Sequence, residues 1–319
     1  MITKDHSHAT VCTVTRIAYL GPQGTFTEAA LLQMADLGLL PRPDSVELLA
    51  ADSAAAALQL VREGAVDYAC VPIENSIDGS ILPTLDSLAI GSPLQVFAEL
   101  TLDVAFSVVI RPGLTAADVR RVAAFPVAAA QVRRWLTANL PNAEVVPTNS
   151  NAAAAVDVTE GRADAGITTA LAADRYQLPE LAKGIVDEPN ARTRFVLAGP
   201  PGRPPARTSA DRTSVVLRID NRPGALVAAL TEFGIRDIDL TRIESRPTRT
   251  ELGTYMFFLD CVGHIDDNAV AEALKALHRR CADVRYLGSW PTGSVTGAVP
   301  PEMDEATRWL ERLREGKKP

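Results

Sequence analysis

Apolar and polar residues follow one another along this chain in blocks that switch between strand and helix periods. Residues 16–20 form an apolar run that predicts a first strand, broken by Gly21-Pro22-Gln23-Gly24. From Thr25 to about Leu37 the apolar positions recur at helical spacing. Residues 45–49 predict a second strand. Asp52-Ser53 can cap an alanine-rich helix over 54–62, and Gly64 stops it. Residues 66–73 then read as a buried third strand, ended by Pro72 and the polar Glu74-Asn75-Ser76. This β-α-β-α-β alternation implies a largely parallel sheet. In such sheets ligands bind at the carboxyl ends of strands. The carboxylate, amide and hydroxyl of Glu74-Asn75-Ser76, followed by Asp78-Gly79, therefore mark a polar site.

The same grammar returns further along. Asp52-Ser53-Ala54-Ala55-Ala56-Ala57 is echoed by Ser150-Asn151-Ala152-Ala153-Ala154-Ala155, and each is followed by a Glu-Gly stop and an apolar strand. The echo predicts two similar lobes with a cleft between them. Residues 102–110 and 120–124 are expected as strands of the second lobe, with a helix over 128–140. The chain returns to the first lobe near Phe195-Val196-Leu197, and two crossings make a hinge. The first lobe is thus expected at 16–98 and 185–199, and the second at 99–184. Gly199-Pro200-Pro201-Gly202-Arg203-Pro204-Pro205 is a stiff connector, with the linker at 200–212. Beyond it the order strand 214–219, helix 222–233, strands 238–245 and 255–261, helix 266–280, strand 284–287 is a ferredoxin-like βαββαβ unit over 213–290. Tails remain at 1–15 and 291–319, the second with a short surface helix over 302–314.

Composition narrows the function. The chain has 319 residues, 47% apolar and 22% charged, as a soluble globular protein does. A net charge of −7 without a Lys/Arg stripe argues against nucleic acid. No apolar run reaches the roughly 18 residues a membrane span requires. The first residues include Lys4, Asp5, His6 and His8 and lack the apolar segment of a secretory signal. Cys12, Cys70, Cys261 and Cys281 form no Cys-x-x-Cys pair and read as reduced thiols, which points to the cytosol. The few histidines leave little for a metal site, and no metal is expected.

Three segments carry candidate chemistry. Gly21-Pro22-Gln23-Gly24-Thr25-Phe26-Thr27 joins a strand to a helix start, where free N–H groups suit an anion. It lacks the Gly-x-Gly-x-x-Gly of a dinucleotide site and is either a tight turn or a carboxylate-binding loop. Within Glu74-Asn75-Ser76, Asn75 and Ser76 can donate to an anion while Glu74 only accepts. In Asn190-Ala191-Arg192-Thr193-Arg194-Phe195, an extended backbone turns Thr193 to the face opposite both arginines. By itself that segment reads as an edge strand.

Together, in this order and spacing, these segments resemble the signature segments of prephenate dehydratases. The downstream unit resembles an ACT regulatory module. Its Arg222-Pro223-Gly224-Ala225-Leu226 and Glu244-Ser245-Arg246-Pro247 match that module's phenylalanine-site segments. The resemblance covers about residues 16–290 and implies an α/β catalytic domain like a two-lobed periplasmic binding protein, then the ACT domain. It implies decarboxylating dehydration of prephenate to phenylpyruvate, with no cofactor, feedback by L-phenylalanine, and a homodimer or homotetramer. By the same resemblance Thr193 donates to the leaving hydroxyl and Glu74 and Asn75 complete the catalytic corner, Glu74 by holding Asn75 or a hinge contact. Thr25, Ser76, Gln131, Arg194 and Phe195 are expected on the substrate. Asn221, Gly224, Ala225 and Leu226 are expected on phenylalanine, with Glu244, Ser245, Arg246 and Pro247 of a neighbouring subunit completing the pocket if the modules pair side by side. The family's Ser-His-Pro-Gln is here Ala124-Phe125-Pro126-Val127, so that neighbourhood reads as structural, and its Ser-Thr is Ser150-Asn151. The alternatives on this fold are a non-catalytic amino-acid sensor and an arogenate dehydratase.

Overall fold

In the computed structural model, which describes residues 14–41, 45–249, 253–293 and 304–316, the chain builds three sheets. The first lobe runs β1 (Thr15–Leu20), α1 (Phe26–Asp36), β2 (Val46–Ala51), α2 (Ala54–Arg62), β3 (Tyr68–Asn75), β4 (Gly79–Ser80), α3 (Leu82–Ala89) and β5 (Gln95–Asp103). The second runs β6 (Phe106–Ile110), β7 (Arg121–Ala124), α4 (Pro126–Gln131), α5 (Arg133–Asn139), β8 (Glu144–Pro147), α6 (Asn151–Thr159), β9 (Ala165–Thr168), α7 (Ala170–Arg175) and β10 (Glu180–Ile185). β11 (Arg192–Gly199) then rejoins the first sheet, whose order is β2-β1-β3-β11-β5, with β4 on β3. β1, β2 and β3 are parallel and β11 runs antiparallel between β3 and β5. The second sheet is β10-β6-β9-β7-β8.

Caps form at the echoed helices, where Ser53 Oγ accepts from the Ala56 N–H and Ser150 Oγ from Ala153, and Thr25 Oγ1 caps α1 in the same way by accepting from Glu28. Three expectations need correcting. β3 does not end at Ile73 but continues through Asn75. A bulge against β11 between Arg194 and Phe195 absorbs the proline, whose missing N–H costs least at such a place. Residues 102–110 are not one strand: through Asp103 the chain belongs to the first sheet, and the lobes divide at 104–105 rather than 98–99. The helix expected over 128–140 is two short helices, broken at Val132, which has φ −125° and ψ 17°.

The C-terminal unit has the expected order: β12 (Asp211–Arg218), α8 (Ala225–Gly234), β13 (Leu240–Pro247), β14 (Tyr255–Val262), α9 (Asn268–Arg280) and β15 (Asp283–Pro291), in a sheet β13-β14-β12-β15. α10 (Asp304–Arg314) follows, with the basic end read from sequence. β15 lies directly across β5. At Gly288, φ +132°, a Cβ would collide with the Val96 carbonyl oxygen, so glycine permits the approach. One apolar cluster spans the junction, joining Leu58, Leu85, Leu88 and Val96 to Val216, Phe258, Leu287 and Trp290. Each large side chain buried there contributes roughly 1.5–3 kcal/mol, so the first lobe and the C-terminal unit hold together as one body. Cys70 and Cys261 are buried free thiols, and burial pushes Cys261 up to about 12, while Cys12 lies outside the described residues. Among the described residues no helix is long and apolar enough to cross a membrane.

Candidate active site

The register of β3 against β11 decides which polar groups meet. Thr193 stands opposite Asn75 and Arg194 opposite Glu74. Successive residues of a strand point to opposite faces, so one cross-strand pair faces the cleft and the next faces away from it. On the cleft side Asn75 Nδ2 donates to Thr193 Oγ1 at 3.0 Å. The amide orientation is fixed by its other end, because Asn75 Oδ1 accepts the backbone N–H groups of Ile77 (2.8 Å) and Asp78 (3.0 Å). Thr193 therefore accepts from Asn75, and among the described residues no acceptor takes its proton. The hydroxyl is left to donate into the cleft.

That cleft, about 820 Å³, lies between the lobes at the carboxyl ends of β1, β2, β3 and β7. Thr25, Asn75, Gln131, Thr193 and Phe195, named by the resemblance for the substrate or the catalytic corner, all line it. Phe125, Val127 and Phe106 form an apolar wall, which corrects the expectation that the neighbourhood of Ala124 is only structural. Ala124 itself is wholly buried, but the next residue reaches the cavity. Among the described residues no Lys, Arg or His lines the cleft. Positive potential comes instead from helix N-termini: Thr25 at the start of α1 and Ser150 and Asn151 at the start of α6 are in the wall, and Asp52 stands just before α2. α2 and α6 are the two helices of the sequence echo. Gln131 Oε1 and Asn151 Oδ1 are buried there without a protein partner, as groups awaiting a ligand are. Asn149 and Asn151 were not singled out for the site, although the capping serine beside them was the available signal.

Three expected site residues face elsewhere. Arg194 is buried and pairs with Glu74 at 3.0 Å, Glu99 at 3.4 Å and Asp260 at 2.8 Å, so it does not meet substrate. Burial alone would lower its pKa, but the three carboxylates outweigh that and hold it raised. Glu74 shares that face, outside the cleft lining, and is engaged by the Arg194 ion pair. Ser76 is a hinge staple: its Oγ donates to the Asn190 carbonyl at 3.0 Å and accepts from the Arg192 N–H at 2.8 Å. A further hinge bond runs from the Val104 N–H to the Ala191 carbonyl at 2.7 Å, tying the two crossings together.

The lobes also touch beside the cleft. Arg175 of α7 reaches Glu28 of α1 with two bonds of 2.6 and 2.8 Å, and Thr169 Oγ1 donates to the Gly24 carbonyl. Burial raises the Glu28 pKa, but Arg175, the Gly24 N–H and the Tyr19 hydroxyl outweigh it and hold the carboxyl below its ordinary value. Gly24 has φ +87°, and a Cβ there would lie 2.9 Å from the Ala172 Cβ. Gly24→Ala should wedge the lobes apart and lower kcat/KM about tenfold, since overpacking typically costs about 1–3 kcal/mol. Steady-state kinetics on the folded variant check this, and unchanged kcat/KM would show that closure does not depend on this contact.

Comparison with known proteins settles the family. The family model described as prephenate dehydratase matches residues 17–202, and that of the ACT domain matches residues 213–279. The chain belongs to the prephenate dehydratase family. A prephenate dehydratase of Mycobacterium sp. (strain JLS) is 72% identical over 305 residues, which cover 94% of this chain and 96% of that protein. The crystal structure of an Arthrobacter aurescens prephenate dehydratase in complex with L-Phe is 39% identical. It superposes with a TM-score of 0.84 over 95% of this chain and 100% of its own. GqqA, described as a novel type of quorum quenching acylase, is 29% identical with a TM-score of 0.76, covering 86% of this chain and 97% of its own. As a prephenate dehydratase the chain is a carbon–oxygen lyase on a two-lobed fold with a C-terminal ACT domain.

In the ACT domain, Asn221, Gly224, Ala225 and Leu226 meet in a pocket of about 210 Å³ with Tyr255 and Phe257. The second expected segment does not join it within the chain. Glu244 accepts from Ser80 Oγ at 3.0 Å and Arg246 grips Asp86 with bonds of 3.0 and 2.8 Å, so both side chains bind the catalytic lobe. Ser245 and Pro247 alternate with them and are exposed on the edge strand β13.

Proposed function

We propose that prephenate binds between the lobes and loses carbon dioxide and water against the Asn75–Thr193 pair. The substrate is a dianion with a ring hydroxyl. Its carboxylates sit at the starts of α1 and α6, and its ring packs on Phe125, Val127 and Phe195. Breaking the bond to the ring carboxylate releases carbon dioxide and feeds an electron pair into the ring, which becomes aromatic as the C–O bond breaks. The departing oxygen takes up one proton and leaves as water. An alcohol is a weak acid, so Thr193 acts by hydrogen bonding to the oxygen as charge builds on it, with solvent as the final proton source. That no arginine among the described residues lines the wall suits this chemistry, because a tight ion pair would hold the carboxylate that must lose its charge. The observation that carries the reading is the 3.0 Å bond that leaves the Thr193 proton free at the cleft. Mixing the protein with prephenate and following phenylpyruvate absorbance tests it. Formation at the uncatalysed rate would leave the amino-acid sensor as the answer.

The regulatory reading follows from the ACT pocket. L-Phenylalanine fills the pocket at Asn221 and 224–226, and a second copy's Ser245 and Pro247 close it. The exposed apolar side chains of Val227, Ile243 and Tyr255 suit such an interface and an even-numbered homo-oligomer. Free thiols fit the cytosol. Asn221→Ala and Ser245→Ala should weaken inhibition by phenylalanine at least about fivefold, a coupling loss of about 1 kcal/mol, while basal turnover is spared. Inhibition curves check this, and unchanged inhibition in both variants would move the effector elsewhere.

A further inference from the structure

The face of β3 and β11 turned away from the cleft holds a charge network that is buried except at Glu74, whose side chain is 39% exposed. Arg194, Arg212 and Arg242 meet Glu74, Glu99 and Asp260 there. Glu74, Glu99 and Arg194 belong to the catalytic lobe, whereas Arg212, Arg242 and Asp260 belong to the ACT sheet. Asp260, on β14, is the node. Its carboxylate takes Arg194 at 2.8 Å and both Arg242 contacts at 2.9 and 3.0 Å, and it is only 1% exposed. Glu99 is fixed in turn by Arg212 at 2.7 Å and the Trp290 Nε1–H at 2.9 Å. Burial pushes the Asp260 pKa up, but Arg242 and Arg194 hold it far below the carboxylate range, so it stays charged.

We propose that Asp260 is a positioning residue for the dehydration step: by holding Arg194 it fixes β11 so that Thr193 presents its hydroxyl to the cleft. The Arg194–Glu74 pair is the immediate cross-strand neighbour of the Thr193–Asn75 pair. A shift of one residue in a strand carries its neighbour with it, and misplacement by about 1 Å can cost about a hundredfold in rate. A buried ion network rarely outdoes apolar packing in stability, which leaves geometric definition as what it supplies. The route also reaches the regulatory strand. Arg242, which holds Asp260, lies on β13 two residues before Glu244, and Glu244 and Arg246 engage Ser80 and Asp86 of the catalytic lobe. A change in β13 therefore has a route to Thr193 through the Asp260 carboxylate. This deepens the proposed function and rests on Thr193 being the donor.

The test is a double-mutant cycle on the full-length protein with prephenate. Asp260→Asn should lower kcat about tenfold or more with KM within about threefold, because Asp260 touches no substrate. In a Thr193→Ala background the same substitution should cost less than about twofold, since its target is already gone. Arg242→Lys, which keeps the charge but loses the fork, should show the same pattern more weakly and decides the matter if Asp260→Asn does not fold. Melting temperatures accompany each variant. A folded Asp260→Asn with wild-type kcat, or equal losses in both backgrounds, would overturn the proposal and leave a purely structural network. Wild-type protein that makes no phenylpyruvate would instead remove the proposed function, and the two failures read differently.

Discussion

Thr193→Ala lowers turnover by about a hundredfold or more in a protein that keeps its fold. A hydrogen-bond donor aimed at charge that appears only in the transition state is worth about 2.7–4 kcal/mol, which is 10²–10³ in rate. The Thr193 hydroxyl meets the condition, since Asn75 occupies its acceptor side and leaves the proton to the cleft. The interaction strengthens as the C–O bond breaks, so kcat and kcat/KM should fall together while KM changes little. Folding is spared because the residue loses one hydroxyl and one methyl group, and the Asn75 amide left behind borders the cavity, where water can reach it. Thr193→Ser should recover most of the loss, because it restores the donor without the methyl. Circular dichroism and steady-state kinetics on both variants make the check. A folded Thr193→Ala with wild-type turnover would take the residue out of the mechanism.

How much of this was legible before the structure follows from the range of each signal. Helix starts at Thr25, Ser53 and Ser150 were readable because a cap is a contact over three residues. The opposite facing of Thr193 and Arg194 was readable because strand alternation is local. What Arg194 faces was not, since Asp260 lies in another domain and Glu99 on another strand. Glu74 was placed in the catalytic corner by its neighbour Asn75, yet the one-residue step that separates them also separates cleft from domain junction. Glu244 and Arg246 went astray by the same step relative to Ser245. The lobe boundary was missed because residues 102–110 read as one strand, and no glycine or proline marks the turn at 104–105. Val132 breaks its helix with no such signal either. The register of β3 on β11, which makes the site, joins residues far apart in sequence, and no local pattern encodes it.

Asn75→Asp should be nearly as damaging as losing Thr193, although it changes a single atom. The carboxylate can still accept the Ile77 and Asp78 N–H groups, so the turn after β3 survives and the protein folds. What reverses is the other end. The Nδ2 donor at 3.0 Å from Thr193 Oγ1 becomes an acceptor-only oxygen, and the threonine satisfies it by turning its own proton away from the cleft. The substrate's departing oxygen then meets a lone pair where it had a donor. A negative charge has also entered a wall that offers a dianion no cationic side chain among the described residues. The first effect falls on kcat, by about 10²–10³ as for any lost transition-state donor. The second falls on KM, which should rise by about tenfold for like charges about 7 Å apart, across the substrate ring, at intermediate dielectric. Thr193→Ala, by contrast, leaves KM near its original value, so the KM values separate a misdirected hydroxyl with added repulsion from a missing one. Lowering the pH should partly restore KM in the aspartate variant as its carboxyl takes up a proton, and not in the alanine variant. A KM for Asn75→Asp that matches wild type would show that a charge at the β3 corner is not felt by the substrate carboxylates at the starts of α1 and α6.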